Sequence, residues 1–408
     1  MYKKETKPTL LGYGKTTKAI AKLHNGGCTF FDDNTKEAFV DEFGNHILPS
    51  HLFDPSASEL EVMTPSFKPS HPLVLSSKNL LSEYDYFLGF ENKKPFNIWI
   101  SGTNGKTTTT QMLTHLLSKR GAVSGGNIGT PLAELDFNAP IWVLETSSFT
   151  LHYTHIASPN IYLLLPITPD HLDWHGDAQG YTADKLKPLL TMKEGELALV
   201  PKGLKLPQTN AFVVEYDTNE FLCDYFGIDI SKIRFKGAFL QDAILAMAVV
   251  KAIFDEVDYD LINSFVIEGH RQEEFKDSKG RLWVDDSKAT NVDAALQAIK
   301  VFGDKPLHLI LGGDDKGVAL DDFFASLRPY DPTIYAIGAN EEKLLQLAQK
   351  FSLKALSCHT VANAVKEIDK NHNLTSVALL APAAASLDQF SSYKERGDVF
   401  KKSVFDLN

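Results

Sequence analysis

Short apolar runs alternate with helical patterns along 408 residues, and two of those runs feed glycine-rich turns, Gly12-Tyr-Gly14-Lys15-Thr16-Thr17 and Gly102-Thr-Asn-Gly-Lys-Thr107. These observations predict an α/β protein of three domains. The expected arrangement is a Rossmann-like domain over 1–92, a central P-loop ATPase domain with a mostly parallel sheet over 93–268, and a Rossmann-like domain over 269–408. Glu91-Asn-Lys-Lys-Pro95 reads as a linker, and Glu268-Gly-His-Arg271 breaks a helical pattern, which sets the boundaries.

In the first domain Thr9-Leu-Leu11 reads as a strand, Gly12 to Thr17 as a turn, Ala19 to Leu23 as a helix and Cys28-Thr-Phe-Phe31 as the next strand, ending at Asp32-Asp33-Asn34. This is a βαβ unit with acidic residues about twenty positions beyond the glycines, as in dinucleotide sites. Thr17 stands where a third glycine would be. A dinucleotide site, a mononucleotide–sugar site and a tight turn without ligand therefore all stay open. Thr64 to Pro72 reads as a proline-punctuated loop and Leu80 to Phe90 as a closing helix.

The central domain opens on Ile98-Trp-Ile100, a buried parallel strand, followed by Gly102-Thr103-Asn104-Gly105-Lys106-Thr107-Thr108 and a helix over Thr108 to Leu117. Strand, glycine loop and helix in that order aim backbone N–H groups at a polyphosphate. Lys106 is placed to neutralise phosphate charge and Thr107 to meet Mg²⁺. The loop is shorter than the usual P-loop, and a glycine turn capping a helix is the bland alternative. Ile141-Trp-Val-Leu144 and Ile161-Tyr-Leu-Leu-Leu165 are further buried strands. They deliver Glu145 and Thr168-Pro-Asp-His171 to the edge where open α/β sheets bind ligands. Glu145 reads as a Mg²⁺ ligand or as an ordinary acidic residue at a helix start, and His171 as a ligand or a packed histidine. Lys185 on its own reads as a surface lysine, and Pro188 is expected to end or kink its helix. Ala243 to Phe254 reads as a buried helix.

The third domain should contain strands at 282–284, 307–311, 334–337 and 377–380, with helices between them, for example Val292 to Ile299 and Glu342 to Lys350. Asp285-Asp286-Ser-Lys288-Ala-Thr290-Asn291, Gly312-Gly-Asp-Asp-Lys316-Gly317 and Ala381 to Gly397 all follow strands. Their density of charged and capping groups suits ligand-edge loops.

Composition narrows the function classes. With 43% hydrophobic and 23% charged residues the chain reads as an ordinary globular protein. A formal net charge of −11 argues against a broad nucleic-acid face. Cys28, Cys223 and Cys358 lack metal-ligand spacing and read as free thiols. No secretory signal and no run approaching a membrane span is visible, so a cytoplasmic protein without membrane insertion is expected.

Taken together, Gly102–Thr108, Gly126-Asn127-Ile-Gly129, Glu145-Thr-Ser-Ser-Phe149, Thr168–Asp173, Tyr181-Thr-Ala-Asp-Lys185, Gly269-His-Arg271, Asp286–Asn291, Gly312–Gly317 and Ser386-Leu-Asp-Gln-Phe390 resemble the Mur ligases of peptidoglycan synthesis. Within that family they resemble the D-glutamate-adding branch. The resemblance implies an ATP-dependent ligase that phosphorylates the carboxylate of UDP-N-acetylmuramoyl-L-alanine and passes the acyl group to D-glutamate. It implies Lys106, His171, Lys185 and Lys288 as catalytic residues, with Gly102 to Thr108, Arg271 and Asp286 on ATP. Gly14, Lys15, Thr16, Asp32, Asp33 and Asn127 would hold the UDP substrate, and Thr290, Lys316, Ser386 and Tyr393 the D-glutamate. Thr107, Glu145, His171 and a carbamoylated Lys185 would serve two Mg²⁺ sites, in a monomer whose third domain closes on ATP.

There are departures from the family pattern. Its adenine motif falls on Phe239-Leu-Gln241-Asp242-Ala243 without either asparagine, the usual Asn-x-Thr run reads Pro166-Ile-Thr168, and its Ser-Pro-Gly loop appears as Thr64-Pro65-Ser66. A ligase for another amino acid and a nucleotide-binding switch without ligation are the competing readings.

Overall fold

The computed structural model describes residues 7–90, 94–315 and 317–407, so the linker residues Glu91 to Lys93 and Lys316 lie outside the described residues. The described chain forms three six-stranded sheets. Two compact units contain them: residues up to Phe235 with Phe239–Phe265, and Lys236–Ala238 with the chain from Val266 onward.

The first sheet comprises β1 (Thr9–Leu11), β2 (Thr29–Asp32), β3 (Phe39–Val40), β4 (His46–Pro49), β5 (Glu61–Met63) and β6 (Leu80–Leu81), in the order β3-β4-β2-β1-β5-β6. All its pairs are parallel except β3 with β4. The glycine turn after β1 leads into a helix, Lys15–Leu23, which begins four residues earlier than expected. Leu80 to Phe90 is not a continuous helix: β6 is followed by a π-helical turn, Asp85–Gly89. Asp85 explains the departure. Its buried carboxylate accepts the backbone N–H groups of His155, Ile156 and Ala157 at 2.8, 2.9 and 2.7 Å, so tertiary hydrogen bonds override the local pattern.

The central sheet comprises β7 (Phe96–Ser101), β8 (Ala122–Gly126), β9 (Ile141–Glu145), β10 (Ile161–Leu164), β11 (Leu197–Pro201) and β12 (Phe212–Tyr216). Its order, β12-β11-β10-β7-β9-β8, is parallel throughout. β7, β9 and β10 bury nearly every residue, which is why they read as unbroken apolar runs rather than alternating ones. The chain leaves β7 toward β8 on one side and later fills β10 on the other. The ends of β7, β9 and β10 therefore form the crevice of a topological switch point. Among the described residues one helix, Gly237–Phe254, is long and apolar enough to cross a membrane by length and composition, contrary to the expectation that no run approaches that length. Its residues Asp242 to Val250 are buried within the protein, which accounts for its apolar character.

The third sheet comprises β13 (Glu273–Lys276), β14 (Leu282–Asp285), β15 (Leu307–Gly312), β16 (Thr333–Ile337), β17 (Ala355–His359) and β18 (Val377–Leu380), ordered β13-β14-β18-β15-β16-β17. It is parallel apart from the edge strand β13. Apolar side chains of β14, β15, β16 and β18 pack against the Val292–Phe302 and Asp321–Leu327 helices on one face, and against Val361–Asp369 and Tyr393–Phe405 on the other. That two-sided cover is the doubly wound arrangement of a Rossmann-like domain.

Candidate active site

At the end of β7 the backbone takes conformations that only glycine accepts easily. Gly102 has φ +142 and Gly105 φ +82, and a Cβ would lie 2.5 Å from Leu165 Cβ at the first and from Asp242 Oδ1 at the second. The helix starts at Lys106, so Lys106, Thr107 and Thr108 form its first turn. Their backbone N–H groups are the ones a helix leaves unpaired at its N-terminus. Lys106 Nζ donates to the carbonyls of Gly102 (3.0 Å) and Thr103 (2.8 Å), keeping the ammonium against the loop. The Thr108 hydroxyl is buried without a partner.

Three neighbouring strand ends converge on this loop. Glu145, paired in register with Ile100, is 2% exposed. Its Oε1 accepts from Asn127 Nδ2 at 2.6 Å, while Oε2 is buried with no hydrogen-bond partner. A carboxylate oxygen left in that condition is costly unless something positive meets it. The Thr103 hydroxyl donates to the Thr168 carbonyl at 2.8 Å and lies 3.0 Å from Tyr181 Oη, which ties the loop to the segment leading to His171. His171 itself has φ +52, receives support from Asp170 Oδ1 at its backbone N–H (2.8 Å) and packs against the Phe149 ring.

Lys185 is not a surface lysine. It is 1% exposed, and its Nζ donates to the Gly102 carbonyl at 2.7 Å and the Ser101 hydroxyl at 3.3 Å. Burial, reinforced by the Lys106 charge, holds its amine well below the usual lysine range. The helix that carries it, Ala178–Leu186, stops short of Pro188, which opens the next helix. Local sequence could not show that this helix turns one face to the P-loop.

A hydrogen-bonded chain behind Lys185 carried no role in the sequence. Asp184 Oδ2 meets His175 Nδ1 at 2.7 Å and His152 Nδ1 at 2.9 Å, and His175 Nε2 lies 3.0 Å from Ser148 Oγ. Burial works to raise the Asp184 carboxyl, but the two histidines win and hold it below the usual carboxylate range. The chain links the helix of Lys185 to the helix that follows Glu145. Its signal was present as His175, one turn after His171 in Asp170-His-Leu-Asp-Trp-His175.

In the departed adenine motif, Asp242 accepts from Thr109 Oγ1 at 3.0 Å beneath the P-loop. That residue therefore braces the loop from below.

The first sheet presents the turn expected to hold the UDP substrate. Gly12 has φ +84, and a Cβ there would meet Thr64 Cγ2 at 2.4 Å, so the Thr64-Pro-Ser66 loop lies directly against the turn. Thr17, in place of a third glycine, donates its hydroxyl to the Gly12 carbonyl at 2.6 Å and accepts from Gly14 N–H at 3.2 Å. Asp32 Oδ2 accepts from Tyr13 N–H at 2.9 Å, and Asp33 pairs with His71 at 2.8 Å. Lys15 reaches the Gly129 carbonyl, which joins this turn to the Gly126–Gly129 loop beside Asn127.

In the second unit, Asp286 is 6% exposed and burial pushes its carboxyl up to about 7. The Gln272 N–H supports it at 3.3 Å, and the Arg271 charge lies near enough to oppose the shift. Asp285 receives His270 Nδ1 at 2.7 Å, and the Lys288 N–H donates to the His270 carbonyl at 3.1 Å. Lys288 Nζ lies 4.3 Å from the centre of the Tyr393 ring. Thr290 and Ser386 sit on the neighbouring loops joined by the Ala383 N–H to Ala289 carbonyl bond of 3.0 Å. Arg271, Asp286, Lys288, Thr290, Ser386 and Tyr393 thus share one end of the sheet.

Residues 100–210 match the Mur ligase middle domain. The chain is similar to a UDP-N-acetylmuramoylalanine–D-glutamate ligase of Campylobacter jejuni, at 51% identity over 401 residues, covering 98% of this chain and 99% of that one. It is 46% identical over 418 residues to the Helicobacter pylori protein of the same name, again over 98% and 99% of the two chains. A solved structure of the MurF ligase from Thermotoga maritima in complex with ADP shares the fold, with a TM-score of 0.61 and 15% identity over 99% of both chains. On the strength of the full-length likeness, this chain belongs to the Mur ligase family, in its UDP-N-acetylmuramoylalanine–D-glutamate ligase branch.

Proposed function

We propose that the chain joins D-glutamate to UDP-N-acetylmuramoyl-L-alanine at the expense of ATP, in three domains over 1–92, 93–268 and 269–408. The observation that carries the reading is Glu145, a buried carboxylate held by Asn127 through one oxygen and open at the other, beside a glycine loop with Lys106 and Lys185. A γ-phosphate and an acceptor carboxylate are both anionic, so catalysis there depends on charge neutralisation and positioning.

In the reaction, the carboxylate oxygen of the UDP substrate attacks the γ-phosphorus and ADP leaves, giving an acyl phosphate. The deprotonated amine of D-glutamate then attacks the acyl carbon, and inorganic phosphate departs. Lys106 with the first turn of its helix cradles the polyphosphate, and Asn127 together with Gly14, Lys15, Thr16, Asp32 and Asp33 holds the UDP substrate. Arg271, Asp286 and Lys288 take the nucleotide from the third sheet. Thr290, Lys316, Ser386 and Tyr393 take the D-glutamate carboxylates.

The residues suit Mg²⁺. Glu145 offers an unpartnered buried oxygen at the end of β9, and Thr107 and His171 follow the neighbouring strands β7 and β10. Bound there, the metal would screen phosphate charge. Lys185 suits carbamoylation, because a neutral amine is the form that adds CO₂ and burial favours that form. The product is an anion, R–NH–COO⁻, with one proton released. Three buried free cysteines suit a reducing, cytoplasmic setting.

Purified protein given ATP, UDP-N-acetylmuramoyl-L-alanine and single amino acids tests the reading. Phosphate release that requires D-glutamate supports it. Release without any acceptor, or with another amino acid in preference, overturns it.

A further inference from the structure

Arg396, on the Tyr393–Phe405 helix, is 1% exposed and makes no ion pair among the described residues. Its guanidinium is spent on the backbone and hydroxyl groups of two strand-end loops. Nε donates to Ser287 Oγ at 3.0 Å and Nη2 to the Ser287 carbonyl at 2.8 Å. Nη1 donates to the Ala384 carbonyl at 3.1 Å and the Ala385 carbonyl at 3.4 Å. A third loop is drawn in through Ala385, whose N–H and carbonyl pair with Asp314 at 2.9 and 3.0 Å. Gly313 passes so close that a Cβ would lie 2.2 Å from the Ala385 carbonyl and 3.3 Å from Arg396 Nη1.

Burial still lowers the Arg396 guanidinium below its usual range although the Asp388 and Asp285 charges oppose it, so a buried cation with no carboxylate in direct contact is expensive to keep. An apolar side chain of similar length would fill the space, yet it would leave the Ser287 and Ala384 carbonyls and the Ser287 hydroxyl without this donor. What the guanidinium alone supplies is a planar fork that reaches two loops at once. Those loops are the one following β14, with Asp286 and Lys288, and the one following β18, with Ser386. In the reading above they hold the nucleotide and the amino acid.

We propose that Arg396 is a positioning residue that couples these two subsites, so that filling one loop pre-organises the other. The proposal rests on the ligase reading. Because the two loops share one rigid donor, ordering either fixes the fork for its neighbour. By linkage the effect on affinity is then equal in both directions.

The test uses the full chain, saturated with UDP-N-acetylmuramoyl-L-alanine. The affinity for a non-hydrolysable ATP analogue is measured by calorimetry without and with D-glutamate, and then the affinity for D-glutamate without and with the analogue. In the wild type each ligand should tighten the other by about fivefold or more. In Arg396→Lys, which keeps the charge and loses the fork, that factor should fall toward one while near-ultraviolet circular dichroism stays native. Ser287→Ala removes one acceptor of the fork, together with the bond that the same hydroxyl donates to the Tyr393 carbonyl at 2.8 Å, and leaves every backbone group in place. It should reduce the factor part of the way, and it decides the matter if Arg396→Lys fails to fold. Binding of both ligands with no mutual effect in the wild type, or an unchanged factor in the folded variants, overturns the coupling alone. Failure of the wild type to bind the analogue overturns the ligase reading and the coupling with it.

Discussion

Lys185 and Arg396 are both 1% exposed basic residues among strand-end loops, one at the central sheet and one at the third, yet their surroundings differ. Arg396 spends its guanidinium on four acceptors. Lys185 has a carbonyl, a hydroxyl and an amine held well below the usual range, and the same strand ends carry the open oxygen of Glu145 and the unpartnered hydroxyl of Thr108. A saturated buried charge organises the backbone. A set of buried groups left unsaturated is stable only when something else completes it. That difference supports the proposal that chemistry takes place at the central edge while Arg396 supports loops at the third sheet.

The largest effect should come from breaking that asymmetry at Lys185. Lys185→Ala should lower kcat by about a thousandfold or more, the scale on which removing a preorganised charge acts. A small added carboxylate such as formate should restore part of the activity. Loss of activity with no rescue under any carboxylate would count against a carbamate. Glu145→Gln comes next, with an expected loss of about a hundredfold or more in turnover. The amide oxygen can still accept from Asn127, and a buried carboxylate oxygen without a hydrogen-bond partner is removed, so Tm should hold or rise. A Tm drop of more than about 5 °C would make Glu145 a structural residue instead.

The sequence pattern showed the central edge well and its wiring poorly. Buried parallel strands read as apolar runs because both faces are covered, so Glu145 and the Thr168–His171 segment could be placed at strand ends from composition alone. Lys185 could not, because an amphipathic pattern gives a helix's faces but not what each face meets. The edge strand Glu273–Lys276 escaped notice because its side chains alternate between half-buried and exposed, with a single aromatic among charges. Asp85 and Arg396 act through backbone groups distant in sequence, and contacts of that kind leave no local signature. Thr17 is the reverse case: a missing glycine that weakened the motif proves to brace the turn through its hydroxyl.

A smaller effect is expected where the comparison is carried to the first sheet. Gly12→Ala places a Cβ against Thr64 in a backbone region with φ +84. The strain should cost about 1–3 kcal/mol of stability in chemical denaturation. It should also raise KM for the UDP substrate while kcat changes little. An unchanged KM in folded protein would separate this turn from substrate binding.

The smallest catalytic effect belongs to Glu83, a buried carboxyl that contrasts with Glu145 because both of its known partners are backbone N–H groups, those of Leu132 and Ala133. Burial pushes it up to about 8 from an ordinary value of 4.5, against the pull of those donors. Between those values the folded chain keeps a proton that the unfolded chain has released. The folded state therefore binds more protons, and stability falls as pH rises from about 4.5 to about 8, by an amount of the order of a few kcal/mol. Above that window both states are ionised and the penalty is complete. Glu83→Gln keeps an acceptor for the Leu132 N–H and carries no charge. It should flatten the pH dependence of the denaturation midpoint across that window and raise stability at pH 8, with kcat nearly unchanged. An equally steep pH dependence in the variant would place the titrating group elsewhere. A large fall in kcat would move Glu83 from the scaffold to the chemistry, and with it the line drawn between saturated and unsaturated buried charge.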